Sequence, residues 1–374
     1  MRISGAVAEY NPFHDGHKYH IEMTRKSGAD AFVAVMSGNF VQRGEPAIYP
    51  KHSRARTALC SGADLIIELP LPWAMSSAES FAFGGVYLLN ALGCADTLSF
   101  GSEGADTAAL CSAADAVSDP RVIEQMKKNL SSGVSFPAAR QAAVRSVYGD
   151  AADVLSSPND TLATEYIKAL KKLGSPIRPL AIKRVGAQHD SESAHDGFCS
   201  ASAIRSEIRR SDGDFADIGR IETAVLSSLR RMSVTQLSEL PDVSEGLDNR
   251  IYSAVRGCRT LEQLLSEVKT KRYTLSRLRR IVMSAYLGVT REYTLEPPPY
   301  LRVIGFTSTG REILAEAKKN ASLPIVTRYS EIIALGERAS RLFELECRAS
   351  DLYSLAFSPA RPCGSELTEK IITV

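Results

Sequence analysis

The sequence predicts an α/β protein: an N-terminal doubly wound parallel sheet followed by a mostly helical C-terminal domain. Three observations carry that expectation. Apolar runs of strand length recur through the first hundred residues, helical patterns separate them, and 374 residues are enough for two domains.

The first strand is ISGAVAEY, beginning at Ile3, and a helix follows from about His17 to Ser27. AFVAVMSG forms the second strand. A helix around His52 to Ser61, the strand DLIIELPL, a helix from Ser77 to Leu92 and the strand TLSFGSE come next. Unbroken apolar runs of this kind belong to strands covered on both faces. Ligands of such sheets bind beyond the carboxyl ends of the strands, so the loops starting at Glu9, Ser37, Pro70 and Gly101 should share one rim.

Residues 105–150 are Ala-rich and amphipathic and read as a helical insertion reaching to about 155. SSPNDTLATEYIKALKKLG (156–174) reads as a capped helix, with Asn159 or Asp160 as the cap. IRPLAIKRVG adds a strand, 187–199 a polar loop and SASAIRSEIRR a helix, which closes the sheet domain near residue 212. Residues 213–374 then read as mostly helical until EPPPYLRVIGF, where three prolines end a helix and a strand follows.

Composition narrows the function classes. Hydrophobic residues at 44% and charged residues at 24% are ordinary for globular proteins and exclude disordered and collagen-like classes. No basic stretch leads into a long apolar run, so a cytoplasmic protein is expected. Seven scattered cysteines without a CxxC pair fit a reducing compartment. Net charge is +2, but KTKRYTLSRLRR (269–280) places six basic residues and no acid in twelve positions. A solvated helix face and a nucleic-acid surface are the two readings of that run.

The chemistry concentrates in EYNPFHDGHKYH (9–20). Neither a GxxxxGK[ST] loop nor a GxGxxG fingerprint is present; the segment after the first strand contains HxGH, with His14, Gly16 and His17. A helix starting there offers free N–H groups and its positive dipole end to a phosphate. Gly16 is expected to let a nucleotide approach the backbone, and the imidazoles to donate hydrogen bonds as charge grows in a transition state. Zinc would need converging ligands, whereas three-residue steps turn His14, His17 and His20 off one helical face, so no metal site is assigned. Far downstream, SASAIR sets Ser202 and Arg205 at a helix start, suited to a β- or γ-phosphate.

HxGH joined to a late Ser- and Arg-containing motif resembles the HUP-type nucleotidyltransferase superfamily. More closely, EYNPFHDGHKYH, SGNFVQRGEPA (37–47), FGSE (100–103), SPND (157–160), IKRVGAQHD (182–190) and EPPPYLRVIGF (296–306) together resemble the tRNA(Met) cytidine acetate ligase family. The resemblance spans most of the chain.

It implies an ATP-dependent, AMP-forming enzyme that activates acetate with Mg-ATP and acetylates the wobble cytidine of elongator tRNA(Met). The implied ATP loop is Val7, Ala8, Glu9, Tyr10, Asn11, Pro12, Phe13, His14, Asp15, Gly16, His17, Lys18, Tyr19 and His20. Gly101, Asn159, Lys183 and Arg184 would add nucleotide contacts. His14 and His17 would act at the α-phosphate, and Ser202 and Arg205 on the leaving pyrophosphate. Ser37, Asn39, Gln42, Arg43 and Lys51 are candidates for acetate or phosphate. Lys269, Lys271, Arg272, Arg277, Arg279 and Arg280 are candidates for the tRNA backbone. The competing readings are an adenylyltransferase of a small phosphate-bearing substrate and a non-catalytic RNA-binding protein.

Overall fold

A computed structural model of the chain describes residues 1–185 and 200–374. The expected polar loop 187–199, including Cys199, lies outside those residues. So does the end of IKRVGAQHD.

The first strand, β1 (Ile3–Ala8), leads into α1 (Asp15–Lys26) and then β2 (Ala31–Ser37). A hairpin, β3 (Phe40–Val41) and β4 (Glu45–Pro46), precedes α2 (Lys51–Cys60) and β5 (Leu65–Leu69). Next are α3 (Leu71–Ala74), α4 (Ala78–Leu92) and β6 (Thr97–Ser102). Three helices, α5 (Thr107–Ser118), α6 (Pro120–Ser131) and α7 (Phe136–Tyr148), form the insertion. They enclose a small core of their own, built on Ala116, Val122, Ala143 and Val144. The chain returns through α8 (Pro158–Lys172), β7 (Arg178–Lys183) and α9 (Ala201–Arg209).

Strands β5, β2, β1, β6 and β7 lie side by side in that order and all run parallel. The order reverses at β1, whose neighbours are β2 and β6, and the crevice there is where such sheets bind ligands. Alternation explains why the strands read as unbroken apolar runs. Val33, Val35 and Ile67 enter the core beneath α4, whereas Phe32, Ala34, Met36 and Ile66 pack on the opposite face with Ile21 of α1 and Ala55 and Ala58 of α2.

Beyond α9 the chain is helical, as expected: α10 (Glu222–Arg231), α11 (Val234–Ser238), α12 (Leu247–Gly257), α13 (Leu261–Val268) and α14 (Leu275–Leu287). The strand foreseen after the prolines is β8 (Leu301–Phe306), followed by α15 (Ser308–Asn320) and β9 (Ile325–Val326). Helices α16 (Tyr329–Ile333), α17 (Glu337–Ser354) and α18 (Ser365–Thr368) lead to β10 (Ile372–Thr373).

Two sequence expectations need correction. The sheet does not close near residue 212, because β8 pairs antiparallel with β5 and carries β9 and β10, both parallel to it. An apolar edge on β5 would otherwise be left open, and β8 covers it. Helix α8 is not capped by Asn159 or Asp160 either: Ser157 is its N-cap residue and makes no side-chain cap bond, while the Asp160 carboxylate turns to the β6 loop. Of the cysteines, Cys60 and Cys363 are exposed and Cys258 is buried. Among the described residues no helix is long and apolar enough to cross a membrane.

Candidate active site

The switch point holds a cleft lined by residues of the β1–α1 loop, the ends of β6 and β7 and the start of α9. Local chemistry builds its key edge. His14 is the N-cap of α1, and its Nδ1 accepts from the Gly16 N–H at 3.0 Å. The His14 N–H in turn donates to Nδ1 of His17 at 3.2 Å, which closes a capping box made of two imidazoles.

This arrangement decides the tautomers. A neutral imidazole that accepts at Nδ1 must carry its proton at Nε2. Both rings stay neutral at pH 7: burial pushes His14 down to about 4, helped by the nearby Arg184 charge, and burial with the neighbouring His14 holds His17 well below its ordinary value. The rings stack with centroids 3.8 Å apart, and the edge of the buried Tyr10 ring meets His17 at 4.9 Å. Two Nε2–H donors are thus held in one place, and neither has a partner among the described residues.

Gly16 lines the cleft, and the fold adds a second reason for a glycine there. A Cβ there would stand 2.8 Å from Cε1 of His14, so the glycine makes room for the folded-back imidazole. Gly16→Ala is therefore expected to dislodge His14 and lower turnover by on the order of 10- to 100-fold, with circular dichroism unchanged.

His20 leaves the cluster. Its Nε2 lies 2.8 Å from Ser99 Oγ, which also meets Thr24, and burial pushes the ring down to about 4. It anchors α1 on β6. Among the described residues no group of three His, Cys, Asp or Glu side chains is placed to hold a metal ion.

The late motif arrives at the same cleft. Ser200 caps α9 by accepting from the Ala203 N–H at 3.1 Å, and Arg205 turns inward to donate to Asn11 O at 2.8 Å and Ser202 Oγ at 3.1 Å. Glu45 balances its charge from 3.8 Å. Gly101, Asn159, Lys183 and Arg184 line the opposite side of the cleft. A Cβ at Gly101 would stand 3.3 Å from the Arg184 side chain, so Gly101 also accommodates that arginine.

Comparison with known proteins identifies the family. The family described as HIGH Nucleotidyl Transferase matches residues 1–366. A tRNA(Met) cytidine acetate ligase from Acetivibrio thermocellus is 40% identical over 413 aligned positions, with all of both chains covered. The chain belongs to the tRNA(Met) cytidine acetate ligase family. The protein of that name from Thermoanaerobacter sp. is 38% identical, again over the whole of both chains. Two crystal structures of Thermotoga maritima TmcAL cover all of this chain. The apo form is 33% identical with a TM-score of 0.93. The form bound with alpha-thio ATP is 32% identical with a TM-score of 0.92.

Within this family member the candidate acetate residues divide. Gln42 and Arg43 line the cleft, carried there by the β3–β4 hairpin. Ser37, Asn39 and Lys51 do not line it. Lys51 is 1% exposed, and its Nζ lies 2.6 Å from Glu68 and 2.5 Å from Glu366. Arg302 of β8 bridges the same two carboxylates at 2.8 and 2.7 Å. Asn39 accepts from the Lys51 N–H at 2.9 Å and donates to Ser350. These polar groups tie α2 and β5 to the C-terminal elements and hold Lys51 buried between two carboxylates, off the cleft lining.

The basic run divides as well. Arg277 donates to Asp242 O at 2.9 Å and Ser244 Oγ at 2.7 Å, and Arg280 pairs with Asp242 at 2.7 Å. Arg272 is 3.9 Å from Glu245, while Lys269 and Lys271 are exposed. Arg279 belongs to the wall of the hairpin. Gly44 has a φ of +72°, and a Cβ there would meet the Arg280 nitrogen at 2.4 Å. The run therefore abuts the turn that brings Gln42 and Arg43 to the cleft.

Sequence reasoning missed Arg54. From α2 its guanidinium donates to Ser37 O at 3.2 Å and to the carbonyls of Glu9 and Gly38, joining the ends of β1 and β2 under the loop. Nothing in its surrounding sequence, KHSRARTALC, distinguishes it from a solvent-facing helix arginine.

Proposed function

We propose that the chain is an ATP-dependent ligase that activates acetate and acetylates the exocyclic amine of the wobble cytidine in elongator tRNA(Met). The observation that carries the chemistry is the pair of neutral imidazoles, each with Nδ1 spent on a backbone N–H and Nε2–H left for a ligand. Family membership supports the choice of acid and of RNA. The Thermotoga relative bound with alpha-thio ATP supports the choice of nucleotide.

In the first step an acetate oxygen attacks the α-phosphorus, the bond to the bridging oxygen breaks, and pyrophosphate leaves with acetyl-adenylate remaining. His14 and His17 donate to α-phosphate oxygens as negative charge grows there, and Arg205 with Ser202 holds the departing pyrophosphate. In the second step the cytidine amine attacks the acetyl carbonyl, AMP leaves with the C–O electron pair, and the amine releases one proton. Mg2+ enters with the triphosphate as part of the substrate. The cytosol is the place of action, where the tRNA and ATP are found.

Labelled acetate, ATP and total tRNA test the reading in one assay. Pyrophosphate release that needs acetate, together with acetyl label in the RNA, is the expected result. A nucleotide product formed without RNA would favour a small-molecule adenylyltransferase, and no pyrophosphate at all would favour an RNA-binding protein.

The exposed lysines of the run supply the positive charge that meets the RNA backbone. Lys269→Glu with Lys271→Glu is expected to weaken tRNA binding and to reduce the slope of log affinity against log salt by about 2, one unit for each phosphate that the protein no longer neutralises. Filter binding at several salt concentrations measures both. Arg277 and Arg280 are poor probes of binding, because their charges hold the 242–244 turn.

A further inference from the structure

Two carboxylates lock the loop after β6 to the first turn of α8. Asp160 accepts from Ser102 Oγ at 2.5 Å, from the N–H groups of Glu103 and Gly104 at 3.0 and 3.2 Å, and from Ser157 Oγ at 3.2 Å. Glu103 reaches back the other way. Its carboxylate accepts from the Asp160 N–H at 3.2 Å and from Asn159 Nδ2 at 2.5 Å. Each loop thereby holds the other's backbone.

The second lock has a chemical consequence. An ionised carboxylate only accepts hydrogen bonds, so it tolerates the NH2 side of an amide and repels the oxygen. Glu103 therefore dictates which way the Asn159 amide points. Asn159 Oδ1 is left as an acceptor on the cleft wall, and no hydrogen bond to it is present among the described residues. The cleft lining on these elements also includes the apolar side chains Leu162 and Tyr166 of α8, one and two turns beyond Asn159, with Phe100 of β6 and Ile182 of β7. His14, His17 and Arg205 form the polar end that suits phosphates, which leaves the apolar end for the base.

We propose that Glu103 is a positioning residue that presents Asn159 Oδ1 as a fixed acceptor to the 6-amino group of adenine. It thereby makes the site select adenine over a 6-oxo purine. This rests on the reading of the cleft as an ATP site. A ribose hydroxyl both donates and accepts and would gain nothing from a fixed amide. Discrimination between a 6-amino and a 6-oxo group requires one. A 6-oxo purine would set its oxygen against Oδ1 and leave that acceptor unpaired.

The test compares kcat/KM for acetate-dependent pyrophosphate release with ATP and with ITP, in the wild type, Glu103→Gln and Glu103→Lys. The wild type is expected to prefer ATP by about 10-fold or more, the usual discrimination when a site's polar group loses its partner. Glu103→Lys offers only donors to the amide, turns Oδ1 toward itself and Nδ2 toward the base, and is expected to shrink that preference at least 10-fold. Glu103→Gln can pair with either orientation and is expected to fall between. It decides the matter if Glu103→Lys does not fold.

An ATP:ITP ratio that stays at the wild-type value in folded variants would overturn the proposal, as would a wild type that does not discriminate, and either leaves the ATP reading standing. Failure of the wild type to use or bind either nucleotide would overturn the ATP reading itself. A purely structural role for Glu103 would lower both kcat/KM values together without moving their ratio.

Discussion

Replacement of His17 by alanine is expected to lower acetate-dependent pyrophosphate release by about 100- to 1000-fold, the usual cost of deleting one preorganised donor at a developing charge. The loss should fall on kcat more than on KM if, as proposed, the Nε2–H meets α-phosphate charge that grows toward the transition state. The same change removes the acceptor that receives the His14 N–H, so the second imidazole is loosened with the first. For that reason His14→Ala and His17→Ala should be far from additive, and the double variant should be barely slower than either single one. Single-turnover pyrophosphate release by the three variants measures this. A folded His17→Ala protein with undiminished release would remove the imidazoles from the mechanism.

Lys51→Ala is expected to have the largest effect on stability. The ammonium is fully enclosed between Glu68 and Glu366, and its loss leaves two buried carboxylates facing Arg302 alone. Breaking a buried pair by removing one partner costs about 3–5 kcal/mol, mostly through the charge left behind. Glu346 stands beside the same cluster: burial raises its carboxyl to about 8, with the nearby Glu68 charge pushing the same way, which keeps a third negative charge away from Lys51. Urea unfolding would show a lower midpoint, with both ends of the chain affected, since the cluster joins α2 and β5 to β8, α17 and α18. By contrast, Lys51→Met combined with neutral replacements of Glu68 and Glu366 should recover part of the loss, because apolar packing substitutes well for a buried charge network. If Lys51→Ala abolished acetate use without changing the unfolding midpoint, Lys51 would instead belong to the substrate site.

The parallel strands, the helix that starts at HxGH and the helix that starts at SASAIR were legible in the sequence because each rests on local chemistry. Periodicity separates strand from helix, and a Ser or His before a helix caps it wherever the helix lies. The position of β8 was legible only as a strand. Its pairing with β5 depends on which sheet edge remained uncovered after some 230 intervening residues had folded, and no local pattern records that.

Charged and amide side chains separate the two kinds of information most clearly. Lys51 and Arg43 look alike as cations after the second strand, yet one is enclosed by two carboxylates and the other lines the cleft. Arg280 and Lys271 are neighbours in one basic run, and only the lysine is left to solvent. Asn159 carries a donor and an acceptor on a single group, and its sequence does not say which one meets a ligand. Glu103, 56 positions earlier, decides that. The sequence by itself determined the fold class, the helix-starting HxGH loop and the kinds of functional group at the site. The tertiary structure alone decided which of those groups are free, neutral and correctly turned, because a polar group's availability depends on partners that only long-range packing delivers.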